Sequence, residues 1–411
     1  MLKIGEFIYP WGSGHYSRMM RLNAVLGNHI KEKFEVHFSS KDHVYQKLLE
    51  KFPNQKDHIH KILMPTPIDG KFGPSVLLSL LNLLLPVSKN PSLVKQVTSY
   101  LRQESKLYDD QKFDLAINDG DMGSNIIAKN RQIPSLFITN QFRPKLYRSR
   151  SYFYPAVVFV SKQIAKASRI LVADSAPPYT MCEYNLNFTK DVKEKVTYVG
   201  HFTTSVSIEK KPTSDLEKLI ENSEFGYWMR TGNKSTNDGT GQRYEQVFHQ
   251  NEMKNEKRII SHAKNDPTID SVLGKDGKKY TISNALEKKI DWIQIDIGFL
   301  SEQEKETVLN LCKYAVVNGS HTVMGEILGG KAKPIIGIPI YDEHTNNIKW
   351  AEEKNLGVLA VKTKQVIEAI SKIKDNYNKF EENLVDFSKN FDPNGAENTA
   401  KIAANILEEK K

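Results

Sequence analysis

Two successive series of short apolar runs, each run followed by a longer mixed segment, restrict this chain more than any other feature of its sequence. The first series is 3–9, 34–39, 113–118, 135–139, 169–173 and 196–199. Runs of this length, apolar on both faces, read as buried parallel strands, while the intervening segments 16–33 and 123–131 have helical spacing. Such alternation argues for a doubly wound α/β sheet. Residues 205–217 are rich in Ser, Thr, Lys and Glu around Pro212, which suits an exposed connection. A second series then begins, at 225–229, 258–262, 292–295, 314–317, 334–338 and 357–361.

At 411 residues the chain exceeds what one hydrophobic core serves, so two domains of roughly 200 residues, with a cleft between them, are expected. The boundaries read as 1–204, 205–385 and a tail of 386–411 whose helix, begun after the turn Asp392-Pro393-Asn394-Gly395, packs back on the first domain. The polar, Gly-rich stretches 233–242 and 265–279 read as surface loops, the second of them mobile. No solenoid-length repeat is visible.

Composition removes several classes. Hydrophobic residues make up 39% and charged residues 26%, as in a soluble globular protein. Cys182 and Cys312 are too few for a disulfide framework or a multi-cysteine zinc site, so a reducing cytoplasm is expected. The first apolar run starts at Ile4, so no signal peptide is expected. A formal charge of +9 favours polyanionic partners: nucleotides, anionic lipid surfaces or nucleic acid. Zinc-finger spacing, an RNA-binding aromatic signature and a basic heptad helix are all missing, which disfavours nucleic acid.

Two motifs carry chemistry. Trp11-Gly12-Ser13-Gly14-His15 falls where the first strand hands over to the first helix. Glycines there allow a sharp turn and close approach of a ligand, and a helix N-terminus favours anions. The third glycine of a dinucleotide fingerprint is lacking, and a tight turn with an exposed His15 is the plainer reading. The second motif, Asn318-Gly319-Ser320-His321-Thr322-Val323-Met324-Gly325-Glu326, comes directly after the run 314–317. A Gly-Ser turn into a helix offers amides and a positive dipole end to a diphosphate, with Glu326 one turn on at the distance of a ribose. A capped helix bearing a solvated glutamate would look the same.

The residues after Glu326 narrow the choice. Gly329-Gly330-Lys331-Ala332-Lys333-Pro334 closes that helix, the run 335–338 comes next, then Pro339-Ile340-Tyr341-Asp342-Glu343-His344-Thr345-Asn346-Asn347 and later Gly357. In order and spacing from Asn318 to Gly357 the sequence resembles the donor-binding domain of GT-B glycosyltransferases, particularly the bacterial N-acetylglucosaminyltransferase that makes lipid II and the plant small-molecule glucosyltransferases. The opening Gly12-Ser13-Gly14-His15 with Arg18 resembles the first motif of the same superfamily, and Asp114 to Asp121 and Thr139 to Phe142 fall where its N-terminal strands end.

The resemblance implies two facing Rossmann-like domains. It implies that Gly14, Gly319, Ser320, His321 and Thr322 hold the donor diphosphate and Glu326 the ribose. Phe299 and Leu300 would border the nucleobase, and Asp342, Glu343, His344 and Asn347 would face the donor sugar. His344 stands where the family usually has Gln, so sugar recognition is expected to differ. Uridine is the expected base because the resembling families mostly use it. The nucleotide sugar is a substrate, so no cofactor is expected.

In many inverting members a His removes the acceptor proton and an Asp orients it, which implies His15 with Asp119 or Asp121. Asp119-Gly120-Asp121 also imitates the Asp-x-Asp metal motif of another glycosyltransferase fold. It lies in the acceptor half, where two carboxylates without phosphates make a poor magnesium cage, so no metal is expected. The leucine-rich run 76–85 is about half the ~20 residues that span a bilayer. Together with Lys145, Arg148 and Arg150 among Tyr147, Tyr152, Phe153 and Tyr154, it suits an anionic membrane surface and a lipid-linked acceptor. A buried helix beside a solvated basic loop is the alternative. The rival activities are a nucleotide-sugar epimerase or hydrolase on the same fold and a non-catalytic nucleotide-sugar sensor.

Overall fold

A computed structural model describes residues 1–11, 14–66, 68–70, 73–74, 76–87, 90–203, 212–232 and 234–409. Gly12 and Ser13 of the opening motif, most of the connection 205–217 and Asn233 lie outside the described residues. The chain forms two compact units, one of residues 1–204 with 392–411 and one of residues 205–391.

Unit 1 contains β1 (Leu2–Ile8), β2 (Phe34–Ser40), β3 (Ile59–Lys61), a minimal hairpin of β4 (Asp69–Gly70) and β5 (Gly73–Pro74), then β6 (Leu115–Asp119), β7 (Ser135–Thr139), β8 (Arg169–Val172) and β9 (Val196–Tyr198). Seven of these make one sheet in the order β3-β2-β1-β6-β7-β8-β9, every neighbouring pair parallel. The strands are apolar on both sides because helices cover both faces. On one face Ile4 and Ile8 pack with Leu115 and Ile117 against Met19, Leu22 and Leu26 of helix Gly14–His29 and Ala400, Ala403 and Leu407 of helix Gly395–Glu409. On the other, Phe7 and Ala116 pack under Tyr100, Leu107 and Tyr108 of helix Leu93–Gln111.

Unit 2 contains β10 (Gly226–Met229), β11 (Arg258–Ser261), β12 (Ser271–Gly274), β13 (Lys279–Tyr280), β14 (Trp292–Ile297), β15 (Tyr314–Val317), β16 (Ile335–Gly337) and β17 (Gly357–Leu359). Their order is β13-β12-β14-β11-β10-β15-β16-β17. All pairs are parallel except β12 with β13 and with β14.

The structure corrects two expectations from the sequence. Residues 234–242 of the stretch read as a loop at 233–242 belong to helix Lys234–Phe248, and their inward face is Thr236, Asn237, Gly239, Thr240 and Gly241. Small and hydrogen-bonded residues replace the apolar stripe: Asn237 accepts from Arg230 Nε at 3.0 Å, and Thr240 Oγ1 donates to the Thr236 carbonyl at 2.8 Å. The second supposed loop, 265–279, supplies β12 and the start of β13, an antiparallel edge turned at Gly277 with φ +76°.

Candidate functional site

In each unit the strand order reverses beside the first strand of that unit. From β1 the chain builds β2 and β3 on one side and β6 to β9 on the other, so the β1/β6 boundary is a topological switch point. In unit 2 the β10/β15 boundary plays that part. Open α/β sheets bind ligands at the carboxyl ends of strands at such points.

At the switch point of unit 1, β1 leads into helix Gly14–His29, which carries His15 and Arg18, and β6 ends on Asp119. His15 Nδ1 lies 2.6 Å from Asp119 Oδ1. Arg18 grips the same carboxylate twice, Nη2 donating to Oδ1 at 2.7 Å and Nε to Oδ2 at 2.8 Å. Burial alone would raise the carboxyl of Asp119, but the charge of Arg18 and the contact with His15 outweigh it and hold Asp119 below its ordinary value. An ionised carboxylate only accepts hydrogen bonds, so His15 Nδ1 carries a proton, and in the neutral imidazole that tautomer leaves the lone pair on Nε2. The His15 side chain is 22% exposed, against 0% for Asp119. Gly120, at φ +82°, carries the chain past the imidazole; a Cβ there would stand 3.0 Å from His15 Cε1.

Asp121, the other carboxylate expected to orient His15, does not touch it. Its Oδ1 caps helix Met122–Asn130 by accepting from the Gly123 amide at 3.0 Å, and it also accepts from the Tyr100 hydroxyl. Burial raises its carboxyl above the ordinary value. Both carboxylates of the Asp-x-Asp imitation are therefore engaged by protein groups.

At the switch point of unit 2, Thr231 lies just beyond β10 and Asn318 just beyond β15. The two bond across the boundary, Asn318 Nδ2 donating to the Thr231 carbonyl and Thr231 Oγ1 to Asn318 Oδ1, both at 3.3 Å. Gly319 adopts φ +94°, a conformation that a side chain resists, and a Cβ there would meet the His344 carbonyl at 2.8 Å. Helix Asp342–Glu353 thus backs directly onto the turn: Asn347 Nδ2 donates to the Gly319 carbonyl at 3.0 Å. Helix His321–Met324 begins here with Ser320 as N-cap residue, whose hydroxyl makes no capping bond, and it continues as a π-helix over Gly325–Gly330. First-turn amides without a side-chain cap suit an anion.

The remaining expected residues divide. His321, His344 and Asn347 are buried, while Ser320 and Thr322 are half-buried. His344 stacks on Tyr341 with ring centroids 3.8 Å apart, and burial pushes its imidazole down to about 3, so it is neutral. Asp342 and Glu343 occupy the first turn of the same helix. Glu326 pairs with Lys305 at 2.6 Å, so a ribose would have to displace that ammonium. Phe299 is 66% exposed and Leu300 buried. The backbone of the preceding Gly298 is already committed, its amide to Asp270 Oδ1 and its carbonyl to the Lys264 amide, both at 2.8 Å.

A polar chain at the ends of β10, β11 and β14 went unread in the sequence. Arg230 Nη1 lies 3.0 Å from His262 Nδ1, and His262 Nε2 lies 2.8 Å from Asp296 Oδ1. Arg230 and His262 come directly after β10 and β11 and Asp296 is next to last in β14, and that position at a strand end was the available signal.

No protein-family model and no curated protein matches the sequence. Solved structures do match over essentially the whole chain. A UDP-glucosyltransferase from Polygonum tinctorium capable of glucosylating indoxyl is 13% identical, with a TM-score of 0.65, covering 99% of this chain and 98% of the other. UGT2 of Phytolacca americana, complexed with UDP-2fluoro-glucose and pterostilbene, is 13% identical at a TM-score of 0.63, covering 99% and 100%. CalG4, the calicheamicin glycosyltransferase, is 12% identical at 0.61, covering 100% and 99%. The chain therefore has the GT-B fold, two α/β units built on largely parallel sheets.

Proposed function

We propose that this chain is a glycosyltransferase that moves a sugar from a nucleoside-diphosphate sugar, a UDP-sugar first, to an acceptor hydroxyl. The observation that carries the reading is the contact of His15 with an Asp119 kept ionised by Arg18, at a strand end where ligands bind. His15 Nε2 takes the acceptor proton, the acceptor oxygen bonds to the anomeric carbon, and the bond from that carbon to the diphosphate breaks, the diphosphate leaving with the electron pair. Asp119 stabilises the imidazolium formed, as in other carboxylate-held general bases. The turn at Gly319, Ser320 and Thr322 receives the diphosphate, its amides and helix end standing where other sites use a cation.

The Phytolacca structure was obtained with UDP-2fluoro-glucose, which favours uridine as the base to test first. Metal independence rests on the engagement of Asp119 and Asp121 with Arg18, His15, Gly123 and Tyr100. The acceptor is lipid-linked, at an anionic membrane surface. Leu81, Leu83, Leu84 and Leu85 are exposed in unit 1, as are Tyr152, Tyr154 and Phe159 of the basic-aromatic segment and the helix after it. No helix among the described residues is long and apolar enough to cross a membrane.

The test is a thermal-shift panel of uridine, guanosine and thymidine diphosphates, and then acceptor-dependent UDP release. A ligand at about 100 times its dissociation constant stabilises by about 2.7 kcal/mol. A shift with uridine diphosphate, and nucleotide release only when acceptor is present, supports the reading. No shift with any nucleotide sinks it, and free epimerised or hydrolysed sugar without acceptor selects the rival activity.

A further inference from the structure

Apart from the switch points, unit 1 gathers three histidines and a glutamate on one sheet face. Glu35 and His37 lie two residues apart on β2 and so project on the same side. The parallel register pairs Ser39 with His60 of β3, which puts His60 on that side too, and His58 immediately precedes β3. His37 is the hub. Its Nε2 lies 3.2 Å from Glu35 Oε1, its Nδ1 lies 3.0 Å from His60 Nε2, and its ring stacks on that of His58 with centroids 4.6 Å apart. One ligand atom from each of Glu35, His37 and His58 falls within 4.8 Å of the others.

We propose that Glu35, His37 and His58 form a binding site for a divalent transition-metal ion of the zinc type, with His60 as the outer partner that orients His37. With His37 Nδ1–H donating to His60 Nε2, the His37 Nε2 lone pair and the Glu35 carboxylate converge on one point, where a cation would bind both. Ligand atoms around tetrahedral zinc stand about 3.4 Å apart, with metal bonds of about 2.0–2.2 Å, so His58 has to turn inward from its stack on His37 to complete the set. Lys3 Nζ, 3.0 Å from Glu35 Oε1, is the competing cation and yields that carboxylate on binding. The ion would tie β3, the edge strand, to β2, a structural role separate from sugar transfer.

The experiment uses the full-length chain freed of any histidine tag and stripped with chelator. Zinc chloride is titrated calorimetrically, cobalt(II) is followed by its visible absorption, and the thermal midpoint is read with and without zinc. One saturable equivalent is expected, with a zinc-dependent rise in midpoint. His58→Ala and Glu35→Gln weaken binding at least tenfold, and His60→Gln weakens it roughly 10- to 100-fold, the usual effect of removing an outer-shell partner. His43→Ala, an exposed histidine elsewhere in unit 1, leaves it within twofold. His58 is half-buried and precedes an edge strand, so its variant keeps the fold, which the metal-free midpoint verifies. The proposal is overturned if zinc shows no saturable binding, or if binding survives His58→Ala unchanged.

Discussion

Asp119→Asn separates the positioning of the base from the base itself. Three side-chain N–H groups share the wild-type carboxylate: His15 Nδ1 and Arg18 Nη2 on Oδ1, and Arg18 Nε on Oδ2. An amide supplies one oxygen and an NH2 group. With its oxygen at the Oδ1 position, the NH2 confronts Arg18 Nε–H. With the oxygen at Oδ2, the NH2 faces His15 Nδ1, which must then accept, so the imidazole proton moves to Nε2 and the base is lost. Arg18 cannot escape by deprotonation and is 5% exposed, so it takes the oxygen in whatever orientation costs it least. Turnover should fall about 10³- to 10⁴-fold, the scale set by losing tautomer control, or roughly 4–5 kcal/mol of barrier. Stability should fall as well, by about 3–5 kcal/mol if the Arg18 charge is left unbalanced. His15→Ala provides the contrast: about 10²- to 10⁴-fold in turnover, with a stability change within about 1 kcal/mol because the side chain is partly exposed. The assays are acceptor-dependent UDP release at saturating donor, urea unfolding, and UDP-induced thermal shift, which both variants should retain. Turnover of either variant within tenfold of wild type refutes the general-base reasoning.

Other positions in the molecule give equally direct tests. Glu6 is fully buried on β1, where burial pushes its carboxyl from 4.5 up to about 8 against a smaller opposing effect of Asn23. The folded state therefore keeps a proton that the unfolded chain releases, so stability is full below about pH 4.5 and declines as pH rises toward 8, by at most about 5 kcal/mol. Glu6→Gln should remove that share of the slope in urea melts at pH 5, 6.5 and 8, and an unaltered slope contradicts the assignment. Gly319→Ala forces a side chain into φ +94° against the His344 carbonyl and should cost about 1–3 kcal/mol while abolishing the UDP-induced thermal shift; a retained shift would remove this turn from the donor site. The double change Leu84→Glu/Leu85→Glu alters side chains that are 77% and 61% exposed, so stability should hold within about 0.5 kcal/mol. Cosedimentation with anionic vesicles should drop at least tenfold, and undiminished binding excludes these leucines from a membrane contact.

The central strands were legible because parallel strands between two helical layers are largely apolar, as Leu115–Ile117 of β6 and Tyr314–Val317 are. Helix Lys234–Phe248 was not, because its buried face substitutes small size and hydrogen bonding for hydrophobicity. Gly241 lies against the Arg230 guanidinium, which a Cβ would approach to 2.5 Å, and the Tyr244 hydroxyl donates to the Met229 carbonyl at 2.8 Å. The first half of such a helix has no apolar period to detect, its buried apolar side chains, Tyr244 and Val247, coming only in the second. The edge pair β12 and β13 escaped for a related reason: one face is solvated, and burial alternates along Ser271–Gly274.

At the candidate site the sequence located the turns but left their wiring open. His15 was visible because it comes after a glycine at the end of the first strand, and two acids spaced like Asp119 and Asp121 fitted it equally well by spacing alone. What separates them is a backbone event: β6 ends on Asp119 with its side chain toward helix Gly14–His29, and the left-handed Gly120 then redirects the chain so that Asp121 caps the next helix. The Arg230, His262 and Asp296 chain shows the same limit at longer range, its successive partners being 32 and 34 residues apart. Each of the three stands at the carboxyl end of a parallel strand, and the adjacency of β10, β11 and β14 brings them together. Strand order, which converts scattered polar residues into one site, is fixed by packing across the whole unit and not by any local motif. A motif at the first strand end therefore marks where a site will be, and the topology decides which distant residues complete it.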